Sequence, residues 1–384
     1  MEILFLSTVL PHGRVAGGEI GTHAVLDALA AAGHEVTVVG YRRAGEDRPP
    51  PSGWVEIGTR PIETERAGRL RASAWMCSAL VRGLPYSAAK YRSRAYLRTA
   101  RALIGSRRFD LAVVDHAQMG WVGPELERSD LPFVLSSHNV EEQLYAAQAD
   151  GARGARRRLL RREARLIGRL EEHVARAGRG VWSHAEADTA HFGRFGRAWT
   201  IPVHSGFTQP PNGLRKRCDV ALMGTWTWDA TRAALEWFLE RVHPHLPPEV
   251  TVEVAGRGGD WIDRAHPGVR YRGFVRDPLA FLAAARVVAV PGVGRTGVQI
   301  KTLDAIASGA QVVASPAAVR DLSSPPASVH VADTPEDFAR ELQRLAAAPD
   351  SLVPSRAGLE WTRERREHFL EAVTAAAAAA VTEP

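Results

Sequence analysis

The first 200 residues alternate between short apolar runs and longer segments with helical periodicity. Glu2–Val9 is apolar, Ile20–Ala32 is amphipathic, and apolar character returns at His34–Gly40. This order predicts a strand, a helix and a second strand. Three more apolar runs have the length of strands: Leu111–Val114, Phe133–Ser136 and Gly180–Ser183. Because such alternation is typical of parallel sheets covered by helices, the pattern predicts a doubly wound domain over residues 1–201.

A second α/β series follows residues 202–217, which are rich in proline, glycine and basic side chains and predict a linker. The second domain is predicted to cover 218–355, and 356–384 to form a last helix that crosses back to the first domain. The predicted strands are Asp219–Gly224, Val250–Ala255, Val287–Pro291 and Gln311–Ser315. The predicted helices are Thr231–Val242, Pro278–Ala285, Gly297–Ser308 and Asp337–Ala347. The expected fold is therefore α/β, with two Rossmann-like, doubly wound domains facing a cleft.

Length and composition agree with this division. The chain has 384 residues, of which 45% are hydrophobic and 24% charged, as in ordinary globular proteins. Two cysteines, Cys77 and Cys218, are too few for a disulfide framework or a cysteine-based zinc site and suggest a reducing compartment. Residues 1–11 do not resemble a signal peptide, and no apolar stretch reaches the roughly 18 residues of a spanning helix. We expect a soluble, cytoplasmic protein.

The net charge of +6 is concentrated in the first half of the chain. Residues 1–200 hold 29 lysines and arginines against 22 acidic residues, and the remainder holds 20 against 21. Arg153–Arg179 is the densest part, with ten arginines and apolar residues at helical spacing, and it predicts an amphipathic basic helix. Weak contact with a membrane surface or a carrier protein, or a plain solvated face, are the alternatives there. Because no aromatic residues interleave with the arginines, we expect no nucleic-acid binding.

Two glycine-containing loops are candidate ligand sites. Gly17 and Gly18 precede the first helix, where a ligand can approach the backbone closely, although a tight turn without a ligand is the alternative. The loop lacks the G-x-G-x-x-G fingerprint, which disfavours a dehydrogenase. In the second loop, Gly297, Lys301 and Asp304 share one helical face. Helix amides and Lys301 suit a diphosphate and Asp304 suits ribose hydroxyls, with a solvated Lys–Asp pair as the alternative.

Motifs in both halves resemble the retaining nucleotide-sugar glycosyltransferases of GT-B fold, family four (group 1), in particular bacterial sugar transferases with a G-T-R-L-K-x-L-E-A segment. The matching stretch for that segment is the glycine loop and helix at 292–309. The other motifs that carry the resemblance are Gly224-Thr-Trp-Thr-Trp228, Trp237-Phe238, Gly273-Phe-Val-Arg-Asp277, Gly17-Gly18, Gly33-His-Glu-Val36, His138-Asn-Val-Glu141 and Ser183-His-Ala-Glu-Ala-Asp188.

The resemblance implies a metal-independent transfer, without further cofactors, from a nucleotide-sugar donor to an acceptor. The donor is a UDP-sugar by default and is held mainly by the second domain, and the acceptor is a small molecule, for example in specialised-metabolite biosynthesis, or is carrier-bound. His138 matches the active-site histidine of the family. The other candidate residues are assigned to donor binding: Gly17, Gly18, Gly224, Thr225, Arg257, Val275, Thr296, Gly297, Lys301 and Asp304.

The sequence also departs from the family pattern. The E-x7-E pair of the family appears as Thr296 and Asp304, and the usual basic residues of the loop at Thr225–Asp229 are absent. Arg257 is a candidate substitute cation, or a plain surface arginine. No D-x-D metal motif occurs, as expected for metal-independent donor binding. The alternatives to transfer are another chemistry, such as epimerisation or pseudo-glycosyl transfer, and a catalytically silent subunit that binds nucleotide sugars.

Overall fold

The computed structural model describes residues 1–11, 17–46, 49–61, 68–207, 210, 213–292, 299–322 and 324–382. The chain divides into two compact units. The first unit comprises Met1–Pro202 with Phe369–Pro384, and the second comprises Val203–His368. Among the helices described, none has the length and apolar character needed to cross a membrane.

The first unit has one parallel sheet, in the order β3-β2-β1-β4-β5-β6-β7 among the described residues. Its strands are β1 (Glu2–Val9), β2 (Glu35–Arg43), β3 (Val55–Arg60), β4 (Leu111–Asp115), β5 (Phe133–Ser137), β6 (Gly180–Ser183) and β7 (Ala198–Thr200). Its helices are α1 (Gly17–Ala31), α2 (Arg69–Val81), α3 (Tyr86–Ala89), α4 (Arg94–Ser106), α5 (Gly123–Arg128), α6 (Glu141–Asp150), α7 (Gly154–Ala177) and α8 (Glu186–Phe192), with a 3-10 turn at Ala117–Val122.

The second unit also has one parallel sheet, in the order β10-β9-β8-β11-β12-β13 within the described ranges. Its strands are β8 (Cys218–Met223), β9 (Val252–Ala255), β10 (Val269–Tyr271), β11 (Ala285–Val290), β12 (Gln311–Ala314) and β13 (Val329–Val331). Its helices are α9 (Asp229–Trp237), α10 (Ile262–Ala265), α11 (Pro278–Ala283), α12 (Ile300–Ala307), α13 (Pro316–Val319), α14 (Pro335–Ala347) and α15 (Arg356–Thr382). After α9, a π-helical turn covers Phe238–Val242 and a 3-10 turn covers His243–His245, so the helix predicted at Thr231–Val242 changes its winding part-way.

The central strands are buried, and for this reason the apolar pattern of the sequence predicted them. All of β1 after Glu2 is buried, because helices cover both faces of the sheet. In each sheet, successive strands are added first on one side of the first strand and then on the other. Thus β1 pairs with both β2 and β4, and β8 pairs with both β9 and β11. Open α/β sheets bind ligands at the carboxyl ends of strands beside such a reversal. Both units therefore offer an expected site at that edge.

Helix α15 contributes to the cores of both units. Its C-terminal part buries Phe369 and Val373 against Ile3 and other core residues of the first unit, whereas Trp361 packs against the core of the second unit. The segment predicted as a linker is anchored at both ends: Val203 is buried in the second unit, and Lys216 donates hydrogen bonds from Nζ to two backbone carbonyls near β11.

Helix α7 is the amphipathic basic helix predicted at Arg153–Arg179. Two of its acidic side chains face inward. Glu163 accepts hydrogen bonds from the first two backbone N–H groups of α3, at 2.7 and 2.8 Å. Glu171 does the same for α6, at 2.8 and 3.1 Å. Because carboxylates stabilise the unpaired amides of a helix start, these two residues fasten neighbouring helices to α7.

Candidate functional site

Polar side chains of the first unit gather at the carboxyl ends of four neighbouring strands. Ser7 lies near the end of β1, and Asp115 ends β4. His138 and His184 are the first residues after β5 and β6. Thr22 reaches the same place from α1. The carboxyl ends of parallel strands lie at one edge, so residues distant in sequence meet there.

Asp115 is the centre of this group and is fully buried. Its Oδ2 accepts hydrogen bonds from Ser7 Oγ at 2.8 Å and Thr22 Oγ1 at 2.9 Å, and its Oδ1 lies 3.1 Å from His138 Nε2. Burial by itself raises the pKa of a carboxyl group, but here His116, His138 and Ser7 outweigh it and lower the pKa of Asp115 to about 2. Asp115 is therefore ionised at neutral pH, and Nε2 of His138 carries the proton that it donates.

Two imidazole rings, those of His116 and His184, pack against the ring of His138. The ring of His116 stacks on that of His138, with centroids 4.0 Å apart and planes at 23°. His184 meets His138 edge-on, with centroids 4.9 Å apart. His116 has a φ of 69°, which is costly for a non-glycine residue and is found mostly at functional sites. The cluster is therefore held in place by its surroundings.

Burial, together with the nearby His138, lowers the pKa of His116 to about 4 and that of His184 to about 3. Nδ1 of His184 lies 3.1 Å from the backbone oxygen of Ile201, whereas its buried Nε2 has no hydrogen-bond partner among the described residues. Both rings are therefore neutral at pH 7.

The neutral histidines predict a loss of stability in acid. In the unfolded chain a histidine has a pKa near 6.5, so between about pH 3 and 6.5 these two side chains bind more protons in the unfolded state than in the folded state. Their contribution to the free energy of unfolding should therefore fall as the pH drops below 6.5. Urea unfolding at several pH values from 7 to 4 measures this slope, and His184→Gln should make it shallower. The exposed His245→Gln is the control, and equal slopes for the two variants would contradict the prediction.

Two glycines of α1 make room for the rings. A Cβ at Gly18 would lie 3.2 Å from His116 Cε1, and a Cβ at Gly21 would lie 3.1 Å from His138 Cε1. Gly17 is the first residue of α1, and residues 12–16 of the predicted loop lie outside the described ranges. These glycines therefore allow the histidine rings, and not only a ligand, to approach the helix closely.

The group also offers potential metal ligands. Asp115, His116 and His138 place ligand atoms within 4.8 Å of one another. The ligands of one ion must converge on it, whereas stacked imidazoles hold their in-plane lone pairs side by side. Asp115 is already engaged by three donors. The observed arrangement therefore fits hydrogen bonding better than shared coordination.

In the second unit, Lys301 and Asp304 lie on α12, and they do not pair with each other. Lys301 Nζ donates a hydrogen bond of 2.7 Å to the backbone oxygen of Pro291, directly after β11. Asp304 accepts one of 2.7 Å from Ser205 Oγ and is buried. Burial lowers the pKa of Lys301 to about 8 and raises that of Asp304 to about 7. The alternative of a solvated Lys–Asp pair is therefore wrong.

Helix α12 begins later than the sequence predicts. Gln299 has a non-helical backbone, with φ −82° and ψ 93°, so the helix starts at Ile300 and not at Gly297. The predicted roles of Gly297 and Thr296 fall outside the described residues.

Gly224 directly follows β8 and is closely packed. A Cβ there would lie 2.7 Å from the ring of Trp226, whose Nε1 donates to the backbone oxygen of Ala255 at 3.1 Å. Thr225 is exposed. Trp226 is buried, so one of the two tryptophans noted in this loop belongs to the core, whereas Trp228 is 65% exposed. The loop therefore presents Thr225 and Trp228 to solvent.

Arg257 lies two residues after β9 and is exposed. Its guanidinium carbon lies 4.8 Å from the ring centroid of Phe274, a cation–π contact. Phe274 is 64% exposed, and Val275 is partly buried against the core. The predicted donor residues that the structure describes in this unit thus follow β8, β9, β10 and β11 at the carboxyl edge of the sheet.

Family profiles match both units. One described as Glycosyltransferase Family 4 matches residues 15–202, and one described as Glycosyl transferases group 1 matches residues 217–348. The chain belongs to the group 1, family 4 glycosyltransferases. This glycosyltransferase has no significant match among curated proteins.

Solved structures show the fold of this glycosyltransferase. Sucrose-phosphate synthase from Thermosynechococcus elongatus is 17% identical, with a TM-score of 0.66 and coverage of 98% of this chain and 97% of that one. Anabaena HepE in complex with UDP and glucose is 13% identical, with a TM-score of 0.64 and coverage of 98% and 99%. WaaG, involved in lipopolysaccharide biosynthesis, is 15% identical, with a TM-score of 0.60 and full coverage of both chains. The two sheets therefore form a GT-B fold.

Several site residues of this glycosyltransferase were not singled out from the sequence. Asp115 and His116 directly follow the apolar run at Leu111–Val114, so the strand-end rule alone could have found them. Ser205 carries no sequence signal, because its partner Asp304 is 99 residues away.

Proposed function

We propose that this glycosyltransferase moves a sugar from a nucleoside diphosphate sugar, by default a UDP-sugar, to a hydroxyl of a small-molecule or carrier-bound acceptor. The transfer is metal-independent and retains the anomeric configuration. The observation that carries the proposal is the placement of the partly buried Lys301 and the buried Asp304 on α12, at the carboxyl edge of the second sheet, each bonded to a different partner. A specialised-metabolite acceptor and a cytoplasmic site of action, in keeping with two unpaired cysteines, are parts of the same proposal.

Lys301 is assigned to the diphosphate. Its ammonium group donates to one carbonyl at the end of β11 among the described residues, and two of its three protons are then available for phosphate oxygens. The charge matters there because Lys301 is partly buried, and electrostatic attraction is stronger away from water. A bound diphosphate would also favour the protonated amine and raise its lowered pKa again.

Asp304 is assigned to the ribose. Ser205 occupies its Oδ1, and a ribose hydroxyl can donate to the other oxygen. Arg257 and Phe274 form an exposed stacked pair on which a nucleobase can rest, next to the backbone of Val275. HepE, which has a similar fold, was solved with UDP and glucose, and this supports a uridine nucleotide for the present chain.

His138 is assigned to the sugar or the acceptor. Because Asp115 fixes Nε2–H, Nδ1 is the nitrogen left for a substrate hydroxyl. Asp115 itself is engaged by three donors and is therefore unsuited to act as a nucleophile. A front-face reaction, in which the departing diphosphate takes the acceptor proton, needs no such nucleophile and fits retention.

Donor binding gives the direct test. Calorimetry with UDP, GDP, dTDP and their sugar conjugates, with magnesium or with a chelator, should select one base and show no dependence on the metal. Lys301→Met should raise the Kd of the selected nucleotide by about 10- to 100-fold, the range expected for losing a charge-assisted hydrogen bond. Asp304→Asn should weaken sugar nucleotides and nucleoside diphosphates alike, since the ribose is common to both.

Arg264→Ala removes an exposed cation elsewhere on the same unit and is the matched control. Binding of no nucleotide, or binding that requires magnesium, would contradict the proposal. Once a donor is selected, product analysis with acceptor panels separates transfer from epimerisation and establishes the anomer.

A further inference from the structure

Helix α2 presents apolar side chains to solvent along its whole length. The α2 stripe consists of Leu70, Ala74, Cys77, Leu80 and Val81, which recur at helical spacing on one face. Leu70 is 91% exposed, Val81 is 86% exposed and Leu80 is 58% exposed. The opposite face buries Trp75 and Ala79. The helix is thus apolar on both sides, whereas a surface helix normally has a polar outer face.

Basic residues predominate in the part of the chain that contains the α2 stripe. Residues 68–109 contain ten lysines and arginines and no aspartate or glutamate. Arg69 and Arg71 lie at the start of α2, and Arg82 lies directly after its end. Exposed apolar side chains flanked by arginines suit a membrane interface, where acyl chains and anionic headgroups lie side by side.

Three of these arginines form a cluster at the C-terminal end of α2. Burial, and then the neighbouring charges of Arg82 and Arg94, lower the pKa of the Arg92 guanidinium, so the three groups repel one another. None of them forms an ion pair with a carboxylate in the part of the chain that the structure describes. An anion placed there would relieve the repulsion.

Helix α7 extends the surface. Arg162 of α7 donates a hydrogen bond of 3.2 Å to the backbone oxygen of Ala79, so α7 adjoins the end of α2. Beside this contact, Leu159 is 53% exposed between the exposed Arg158 and Arg161. Apolar and cationic side chains therefore continue from α2 onto the arginine face of α7.

We propose that the α2 stripe, together with the arginines at its end and on α7, docks on the surface of an anionic lipid bilayer. A second copy of the same surface is unsuitable as the occupant, because the exposed arginines at the two ends of α2 would face one another. An anionic bilayer supplies headgroups for the arginines and an acyl boundary for the leucine and valine side chains. The inference concerns the first unit alone and does not depend on the donor proposed above.

A native cysteine allows this contact to be measured with a fluorescent label. Cys77 lies within the α2 stripe and is exposed, whereas Cys218 is buried. A thiol-reactive, environment-sensitive dye on Cys77 of the full-length protein should shift to the blue and gain intensity with vesicles of phosphatidylcholine and phosphatidylglycerol, and should be quenched by brominated lipid. Vesicles of phosphatidylcholine alone should give little change. In a Cys77→Ser background, the dye on Val353→Cys, an exposed site of the second unit, should not respond.

Co-sedimentation of the unlabelled protein tests the residues. Replacing Leu80 and Val81 by serine should weaken binding to the mixed vesicles by about tenfold or more, and Arg82→Glu should reduce the dependence on phosphatidylglycerol and on salt. Replacing the exposed Leu352 and Val353 by serine is the matched control. Unchanged unfolding midpoints show that the variants are folded.

Three results would overturn the proposal. The first is equal binding to the two kinds of vesicle, the second is unchanged binding by the Leu80 and Val81 double variant, and the third is a dye response to an acidic polypeptide such as polyglutamate with none to vesicles. The last result would assign the surface to an acidic protein instead.

Discussion

His138→Ala is expected to lower kcat for sugar transfer by about 10²- to 10³-fold while leaving the affinity for the nucleotide nearly unchanged. The imidazole is fixed by Asp115 through a hydrogen bond of 3.1 Å, and it is packed between His116 and His184. A group held this firmly reaches the reacting sugar or acceptor without reorganisation, which is where such a hydrogen bond contributes most. Release of the nucleoside diphosphate from the selected donor, with and without acceptor, measures the effect.

Asp115→Asn separates positioning from direct contact. Its amide can present NH₂ to His138 Nε2 and so reverse which ring nitrogen carries the proton, and kcat should fall by about 10-fold or more with little change in KM. His173→Ala, which removes a half-exposed histidine of the same unit, is the control and should be as active as the wild type. A His138→Ala enzyme with wild-type kcat would remove the catalytic assignment.

Gly256→Ala is expected to prevent the second unit from folding stably. Gly256 has a φ of 123°, and a Cβ there would lie 1.7 Å from the backbone oxygen of Gly224, far inside van der Waals contact. The obstacle is backbone at the ends of two neighbouring strands, β8 and β9, and not the tip of a flexible side chain. The cost should exceed about 4 kcal/mol, beyond the range of most single substitutions. Soluble yield and the unfolding midpoint of the second unit measure it.

Gly213→Ala is the matched control in the same unit. Gly213 also has a positive φ, 71°, but a Cβ there meets nothing within 4 Å. Its cost should be only the 1–2 kcal/mol of placing a side chain in the left-handed region. If the two variants unfold at the same midpoint, the contact between Gly256 and Gly224 does not limit the fold. Because that contact shapes the backbone at Gly224, a partly folded Gly256→Ala protein should also bind the donor poorly.

The strands that the sequence predicted are those whose two faces are both covered by helices. β1 and β6 have the predicted bounds, since their residues are almost continuously buried and read as apolar runs. β3, β7, β10 and β13 were not predicted. β3 and β7 lie at the two edges of the first sheet and β10 and β13 at the two edges of the second, where a strand has few buried positions and mixes polar with apolar residues. An apolar run in the sequence indicates that a segment is buried, and it predicts a strand only where the strand is buried.

The candidate site residues also fall into two groups, those that the sequence indicated and those that it did not. His138, Lys301 and Asp304 were singled out because each lies in a short motif. Their partners were not: Asp115 is 23 residues from His138, and Ser205 is 99 residues from Asp304. The linker that contains Ser205 showed no periodicity, so nothing local distinguished a buried serine from a solvated one.

The sequence by itself determined the α/β class, the two successive series of strands and helices, and the family to which the motifs belong, because periodicity and motifs are local properties of the chain. Only the tertiary structure decided that Asp115 is ionised in the core, that His116 and His184 are neutral, and that Lys301 and Asp304 turn to different partners. Protonation and hydrogen bonding depend on desolvation and on neighbours brought together by the sheet, and these are set by contacts between residues far apart in the sequence.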